Sequence, residues 1–406
     1  MADTATAPSA FLAAAQKLQP DTIALRRAIH EEPELGLDTP KTLEKVKAAL
    51  AGLPLTLKEG RSCTGMIAIL DGAKSGRTVL LRGDMDALPM PEDAPVNFKS
   101  KIQGAMHACG HDAHTSMLVS AAKILCARRD QIAGRVLFMF QPGEEGHFGA
   151  KFMLEEGLLN DPAPDAAFAL HITPNAPAGV VTAKAGPMMA SADQFQLVIR
   201  GQGGHASMPH LAIDPMPVAC EIVTAIQAFI TRRIDAFDPA IFTVTTMNAG
   251  TTYNVIGESV RMTGTMRAIS EATRKRLHEG VARVAENIAR AHDCTAEFNI
   301  DAGFPVTIND ARAVSLVERA VRAELGDAAF VRANAPVMGA EDFSYVLQKT
   351  PGAMSFLGVC PEGQDFRSAC PCHSNKMELN EAAMAAGVAT HCATAEAFLR
   401  DGLPAA

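Results

Sequence analysis

The chain has 406 residues, too many for one ordinary core, and 48% are hydrophobic, so two domains with substantial interiors are expected. A net charge of −8 and the lack of any Lys/Arg run argue against a nucleic-acid partner, and no stretch is apolar and long enough to span a bilayer. Residues 1–14 lack the basic region of a secretory signal, and nine cysteines form no disulfide framework, so reduced thiols in the cytoplasm are expected.

Residues 22–29 read as part of a helix that ends near the turn His30-Glu31-Glu32-Pro33-Glu34, and 42–50 as a second helix. Residues 65–70 and 78–82 are apolar runs of strand length. The second runs into Gly83-Asp84-Met85-Asp86-Ala87-Leu88-Pro89. Carboxylates just beyond a buried strand are where open α/β sheets place their chemistry. Next comes Met106-His107-Ala108-Cys109-Gly110-His111-Asp112-Ala113-His114-Thr115, which packs three histidines, a cysteine and an aspartate around a glycine that permits a sharp bend. Cys and His at this spacing suit a borderline-soft divalent ion. A helical pattern follows over 114–129, with Thr115 and Ser116 as capping candidates, so the cluster is expected on a loop at a helix N-terminus. A buried strand over 135–140 ends in Gln141-Pro142-Gly143-Glu144-Glu145-Gly146, and a further strand, 166–170, ends on His171. Three strands thus end in Asp, Glu-Glu and His, and together with the Cys/His loop they read as one site.

The pattern changes near Gly186. Strand 194–200, helix 216–234, strands 241–247 and 260–268, helix 271–292 and strand 295–300 give the order βαββαβ, the split βαβ arrangement of small α+β sandwiches. Such a domain is expected to be inserted into the first, which resumes with helix 311–325, strand 353–358, the loop Cys370-Pro371-Cys372-His373 and helix 381–399. The expected division is 1–186, 187–301 and 302–406.

Cys109, His111, Glu145, His171 and His373 are the candidate ligands. Five such groups exceed one tetrahedral zinc and suit two neighbouring ions about 3.5–4 Å apart that polarise a carbonyl and activate a water. Within the acidic pair, Glu145 is assigned as ligand and Glu144 as the free carboxylate, a general base and then acid toward a leaving amine. Asp86 can accept a hydrogen bond from a ligating His and fix its orientation. Cys370 or Cys372 can compete with His373 for the last position.

The segments Met85–Pro89, His107–His114, Gln141–Gly146 and Gly339-Ala340-Glu341-Asp342-Phe343 resemble the hippurate-hydrolase-like amidohydrolases of the aminoacylase and carboxypeptidase group of two-metal peptidases. The resemblance runs in order along nearly the whole chain. It implies an α/β catalytic domain, a mixed sheet flanked by helices, interrupted by a ferredoxin-like lid that also dimerises. It implies hydrolysis of the amide of an N-acyl amino acid, a small-molecule substrate, with two divalent ions per chain. Zinc is the first expectation, with manganese, cobalt and nickel also compatible with mixed S, N and O ligands. It favours His373 over the neighbouring cysteines and makes Glu144 the base. In much of the wider group a metal-binding His stands at the position of Asp84, so Asp84 is left out of the ligand set. In Gly203-Gly204-His205-Ala206-Ser207, His205 resembles a residue that reaches the active site across a dimer to stabilise the oxyanion. Asn254 and Arg267 resemble the pair that holds the substrate carboxylate. His30 and Asp342 match positions of the family without a derivable role.

Three other readings compete: a dipeptidase or carboxypeptidase on the same scaffold, a metal-bearing binding protein without catalysis, and a thiol hydrolase using Cys109 with His111. An intact Glu144-Glu145 pair speaks against the binder, which needs no free base.

Overall fold

The structure is a computed structural model that describes residues 10–405. The signal-peptide reading of residues 1–14 therefore falls largely outside the described residues. Two compact units are present: one holds the chain up to Met188 with Ile308–Ala335 and the chain from Asp342 onward, the other Met189–Thr307 with Pro336–Glu341. The return of the short segment Pro336–Glu341 to the second unit has no periodic signal in the sequence.

The first unit is a mixed sheet with helices packed on it. Its strand order is Thr56–Glu59, Met66–Asp71, Ala133–Gln141, Lys74–Asp84, Ala166–Thr173, Gly352–Gly358, Val181–Ala183, Phe330–Arg332. The central strands are buried along most of their length, which is why they read as unbroken apolar runs rather than alternating ones. Helices Ala10–His30, Pro40–Leu50, His111–Ala127, Ala311–Leu325 and Met384–Asp401 bury their apolar residues in the same core, among them Val46, Met117, Leu118, Leu316, Val388 and Phe398.

Several expectations need correction. The helix read in part over 22–29 does end at His30, and it begins at Ala10 and carries Pro20 in its interior. Proline removes an amide donor and reads as a stop, so the Ala-rich half before it is hidden. The helix after the Cys/His loop begins at His111 rather than His114. The strand that carries His171 continues to Thr173. Thr56–Glu59 is almost wholly exposed, and Val181–Ala183 and Phe330–Arg332 have three residues each, so none offers a readable period.

The second unit realises βαββαβ as a four-stranded antiparallel sheet in the order Ala240–Ala249, Ser259–Ala268, Asp193–Arg200, Thr295–Asp301. Its helices start at side-chain caps, Asp214 accepting from Met216 N at 2.9 Å and Ser270 from Thr273 N at 3.1 Å. Ile222 and Ile226 of Pro215–Arg233, and Leu277 and Val281 of Glu271–Ala291, share a core with Leu197, Ile199, Val260 and Met262 of the sheet. This is the ferredoxin-like order expected from the sequence. Among the described residues no helix is long and apolar enough to cross a membrane.

Candidate metal centre

Three neighbouring parallel strands, Ala133–Gln141, Lys74–Asp84 and Ala166–Thr173, point their carboxyl ends the same way. The Asp84–Asp86 turn, the Glu144-Glu145 loop and His171 therefore converge at one edge of the first unit. Gly110, at φ +88°, turns the chain into the helix whose first residue is His111. That conformation suits glycine. Helix and loop thereby present Cys109 and His111 side by side. Thr115 and Ser116 do not cap this helix: their hydroxyls donate to the carbonyls of Asp84 and Asp112.

Hydrogen bonds fix the ring orientations. His171 Nδ1 donates to the carbonyl of Ile172 at 2.6 Å, which leaves Nε2 facing Cys109 Sγ at 3.3 Å. His111 Nδ1 donates to the carbonyl of Asp86 at 2.8 Å. Its Nε2 lies 3.4 Å from Asp84 Oδ2, misaligned for a hydrogen bond, and has no hydrogen-bond partner. Glu145 Oε1 is likewise buried without a hydrogen bond, although His373 Nε2 stands 3.2 Å away. His373 reaches this place through a left-handed backbone, φ +68°, with its amide donating to Ala108 O at 2.8 Å. Donor atoms of Cys109, His111 and His171, of Cys109, Glu145 and His373, and of His111, Glu144 and Glu145 form three sets, each within 4.8 Å. The sets share Cys109, His111 and Glu145, so the five expected ligands and Glu144 form one linked cluster. Two orphaned, buried donor atoms beside a thiol and two further imidazoles fit divalent ions.

The charges of the metal-free chain agree with this chemistry. Burial, with His114 and His111 nearby, holds His171 well below the usual histidine range, so it is neutral and able to ligate. Burial also opposes the charge of His111, but Asp84 and Asp86 outweigh it and lift the ring to about 10. A ligating His111 must release that proton, as metal binding generally requires. The Cys109 thiol is pushed up, first by its hydrogen bond with Cys372 and then by burial. Cys109 Sγ faces His171 Nε2 rather than His111, so the Cys109–His111 pair that a thiol hydrolase would need is not formed.

Asp86 is built in differently from the expectation. The hydrogen bond from His111 goes to its carbonyl, with the carboxylate 3.5 Å from Nδ1. The two carboxylate oxygens accept the backbone amides of Glu144 at 3.0 Å and Glu145 at 2.9 Å. Asp84 is committed to Arg82 and to His114 Nδ1, the latter at 2.6 Å. His114 Nε2 in turn accepts the amide of Ile172 at 2.8 Å, beside His171. Cys372 Sγ lies 3.9 Å from the carbonyls of Cys109 and Ile172, Cys370 is exposed, and no cysteine is paired among the described residues. His30 joins Asp112 at 2.7 Å and Glu92 at 3.0 Å, while both nitrogens of buried His107 lack a hydrogen bond. Arg82 escaped the sequence reading as part of the site, and Gln141 and His114, though they stand in its motifs, were given no role there. The one signal was a charge inside a buried apolar strand, Arg82.

In the second unit His205 and Asn254 are exposed neighbours on one concave surface, where Ala206 N donates to Asn254 O at 3.1 Å. His205 Nδ1 is 2.9 Å from Ser207 Oγ. Arg267 lies on another concavity, over the open face of the sheet with Gln194, Thr245 and Asn299, and donates to Met266 O at 3.1 Å. Within this unit the structure brings His205 and Asn254 together and leaves Arg267 apart.

Residues 80–397 match the family model described as Peptidase family M20/M25/M40. The chain is 38% identical to thermostable carboxypeptidase 2 of Saccharolobus solfataricus, covering 93% of this chain and 95% of that protein. It is 37% identical to N-acetylcysteine deacetylase of Bacillus subtilis, over 83% of this chain and 88% of the relative. Among solved structures, a Bacillus subtilis protein titled a dinuclear metal binding peptidase from M20 family superposes with a TM-score of 0.83 at 32% identity, covering 95% of this chain and 99% of that one. With a family model spanning most of the chain and relatives matched nearly end to end, this protein belongs to peptidase family M20/M25/M40 and is an enzyme of that hydrolase family.

Proposed function

We propose that the protein is a metal-dependent amidohydrolase that cleaves the amide between an acyl group and an amino acid. The observation that carries the reading is the linked donor cluster with Glu144, 6% exposed, inside it. The N-acetylcysteine deacetylase relative supports an N-acyl amino acid as substrate.

Cys109, His111, Glu145, His171 and His373 are assigned as ligands of two divalent ions, zinc first. When bound, the ions supply Lewis acidity toward the amide carbonyl and the attacking water. The Glu144 carboxylate takes a proton from that water as oxygen adds to the carbonyl carbon. It delivers the proton to the amide nitrogen as the C–N bond breaks, which yields a carboxylic acid and a free amine. Asp86 keeps Glu144 and Glu145 in place through their backbone amides. We extend the proposal to the second unit: His205, from the partner chain of a homodimer, donates to the oxyanion, and Asn254 beside it holds the substrate carboxylate; Arg267, on a separate concavity of the unit, does not share that carboxylate with Asn254 of its own chain.

The carboxypeptidase relative favours a second reading, cleavage of a terminal peptide bond with the same residues. An activity screen of the zinc-reloaded protein on N-acetyl, N-benzoyl and long-chain N-acyl amino acids, with dipeptides alongside, separates the two. Faster turnover of N-acyl amino acids is expected; turnover confined to peptides selects the second reading, and no hydrolysis of either class refutes both.

A further inference from the structure

We infer that Asp342 is a positioning residue that clamps both ends of the loop carrying Glu144 and Glu145, an inference that rests on the assignment of Glu144 as base. Asp342 is fully buried. Its Oδ1 and Oδ2 accept from Gln141 Nε2 at 2.7 and 2.9 Å, where the central strand ends and the loop begins. Its Oδ2 also accepts the backbone amide of Ala150 at 2.9 Å, where the loop enters the helix Gly149–Glu155. One carboxylate thus ties residue 141 to residue 150 across the loop.

The loop is closed tightly between these points. Gly149 N donates to Gly143 O at 3.1 Å. A Cβ at Gly149 would stand 1.6 Å from Pro142 O, so only glycine permits this approach. Asp86 holds the middle of the loop and Asp342 its ends. The clamp also reaches the neighbouring strand. Arg82 Nη2 donates to Asp342 at 3.2 Å and Arg82 Nε to Gln141 Oε1 at 2.8 Å, and the same guanidinium pairs with Asp84. Asp84 holds His114, and His114 holds the amide of Ile172 next to His171. Asp342 therefore fixes the base loop directly and is joined, through Arg82, Asp84 and His114, to the backbone beside a ligand on the next strand. Every member of this chain of contacts is buried. An anionic acceptor for so many donors has no substitute in a neutral side chain.

The test is Asp342→Asn, whose amide would face the Ala150 amide or Arg82 with a donor in place of an acceptor. In the metal-free protein, hydrogen exchange at Glu144, Glu145 and Ala150 should accelerate in the variant while the remaining strands of the sheet stay protected. On the screened conjugate that is hydrolysed fastest, kcat should fall by about 10- to 100-fold, the size of a roughly 1 Å misplacement, with KM unchanged. A core variant matched in Tm, Leu316→Ala, should keep the parental kcat. In the Glu144→Gln background Asp342→Asn should cost almost nothing more, because both act through one group. Gln141→Met, which removes the amide that Asp342 accepts from, should change exchange and kcat in the same direction if Asp342→Asn fails to fold. Equal kcat for Asp342→Asn and the matched core variant, or unchanged exchange across the loop, overturns the inference. Full activity of Glu144→Gln would instead remove the base assignment, and the exchange data alone would then decide whether Asp342 is the clamp.

Discussion

Replacing Asp86 by Asn is the sharpest test of how the Glu144-Glu145 loop is held. The carboxylate is 1% exposed and accepts two amides, Glu144 N at 3.0 Å and Glu145 N at 2.9 Å. Asparagine keeps one acceptor and turns an NH₂ group toward the other amide. One charge-assisted hydrogen bond, about 1.5–3 kcal/mol, is lost and one N–H is left without an acceptor at about 1–3 kcal/mol more. The sum, about 2.5–6 kcal/mol, is large beside a total stability of about 5–15 kcal/mol but leaves a folded chain over most of its range. Urea denaturation of the metal-free variant measures the loss, and zinc titration against a competing chelator measures what it does to the ligands. A stability change below about 0.5 kcal/mol, the size of a bland surface substitution, would refute the clamp. If zinc affinity alone fell, with stability kept, Asp86 would act on the orientation of His111, as the sequence suggested.

Three further outcomes are expected. Glu144→Gln should keep the metals and the fold and lose a factor of roughly 10² or more in kcat, whereas Glu145→Gln should lose metal; the reverse pattern in elemental analysis would invert the assignment. Asp193, which accepts from both Arg274 and Gly303 and contacts His278 at 2.7 Å, has a carboxyl held below the usual range: burial opposes the charge, but Arg274 and His278 outweigh it. A depressed carboxyl contributes stability that is present above its unfolded value near 3.9 and lost as pH falls through the folded one. Asp193→Asn should therefore cost about 3–5 kcal/mol at pH 7, with the gap to the parent closing in acid; a gap that widens below pH 4 contradicts this. If His205 serves a partner chain, mixing inactive His205→Ala with inactive Glu144→Gln chains should restore activity, and exchanged dimers that stay inactive would show that it does not.

Much of the fold was legible because burial leaves a mark on sequence. The central strands are apolar end to end, and the second unit has clean caps at Asp214 and Ser270 and a readable βαββαβ order. The convergence of Asp84–Asp86, Glu144-Glu145 and His171 was legible too, since these residues follow or end parallel strands. What stayed hidden was the wiring. Nothing in a sequence distinguishes Asp86 as acceptor for two backbone amides from Asp86 as partner of a ring, because both need a buried carboxylate. The pairing of Asp342 with Gln141 and Ala150 spans about 200 residues, and no periodicity reports it. Pro20 concealed half a helix for a local reason: its missing donor is tolerated where the rest of the helix packs well.

The central claim is that this cluster hydrolyses amides of amino acids with bound divalent ions. The direct measurement follows amino-acid release from N-acyl amino acids by the purified protein before chelation, after it, and after zinc is restored, with metal content determined at each stage. About two ions per chain at full activity, loss of both with chelator and recovery of both with zinc are predicted. Full activity in a preparation free of metal would contradict the account.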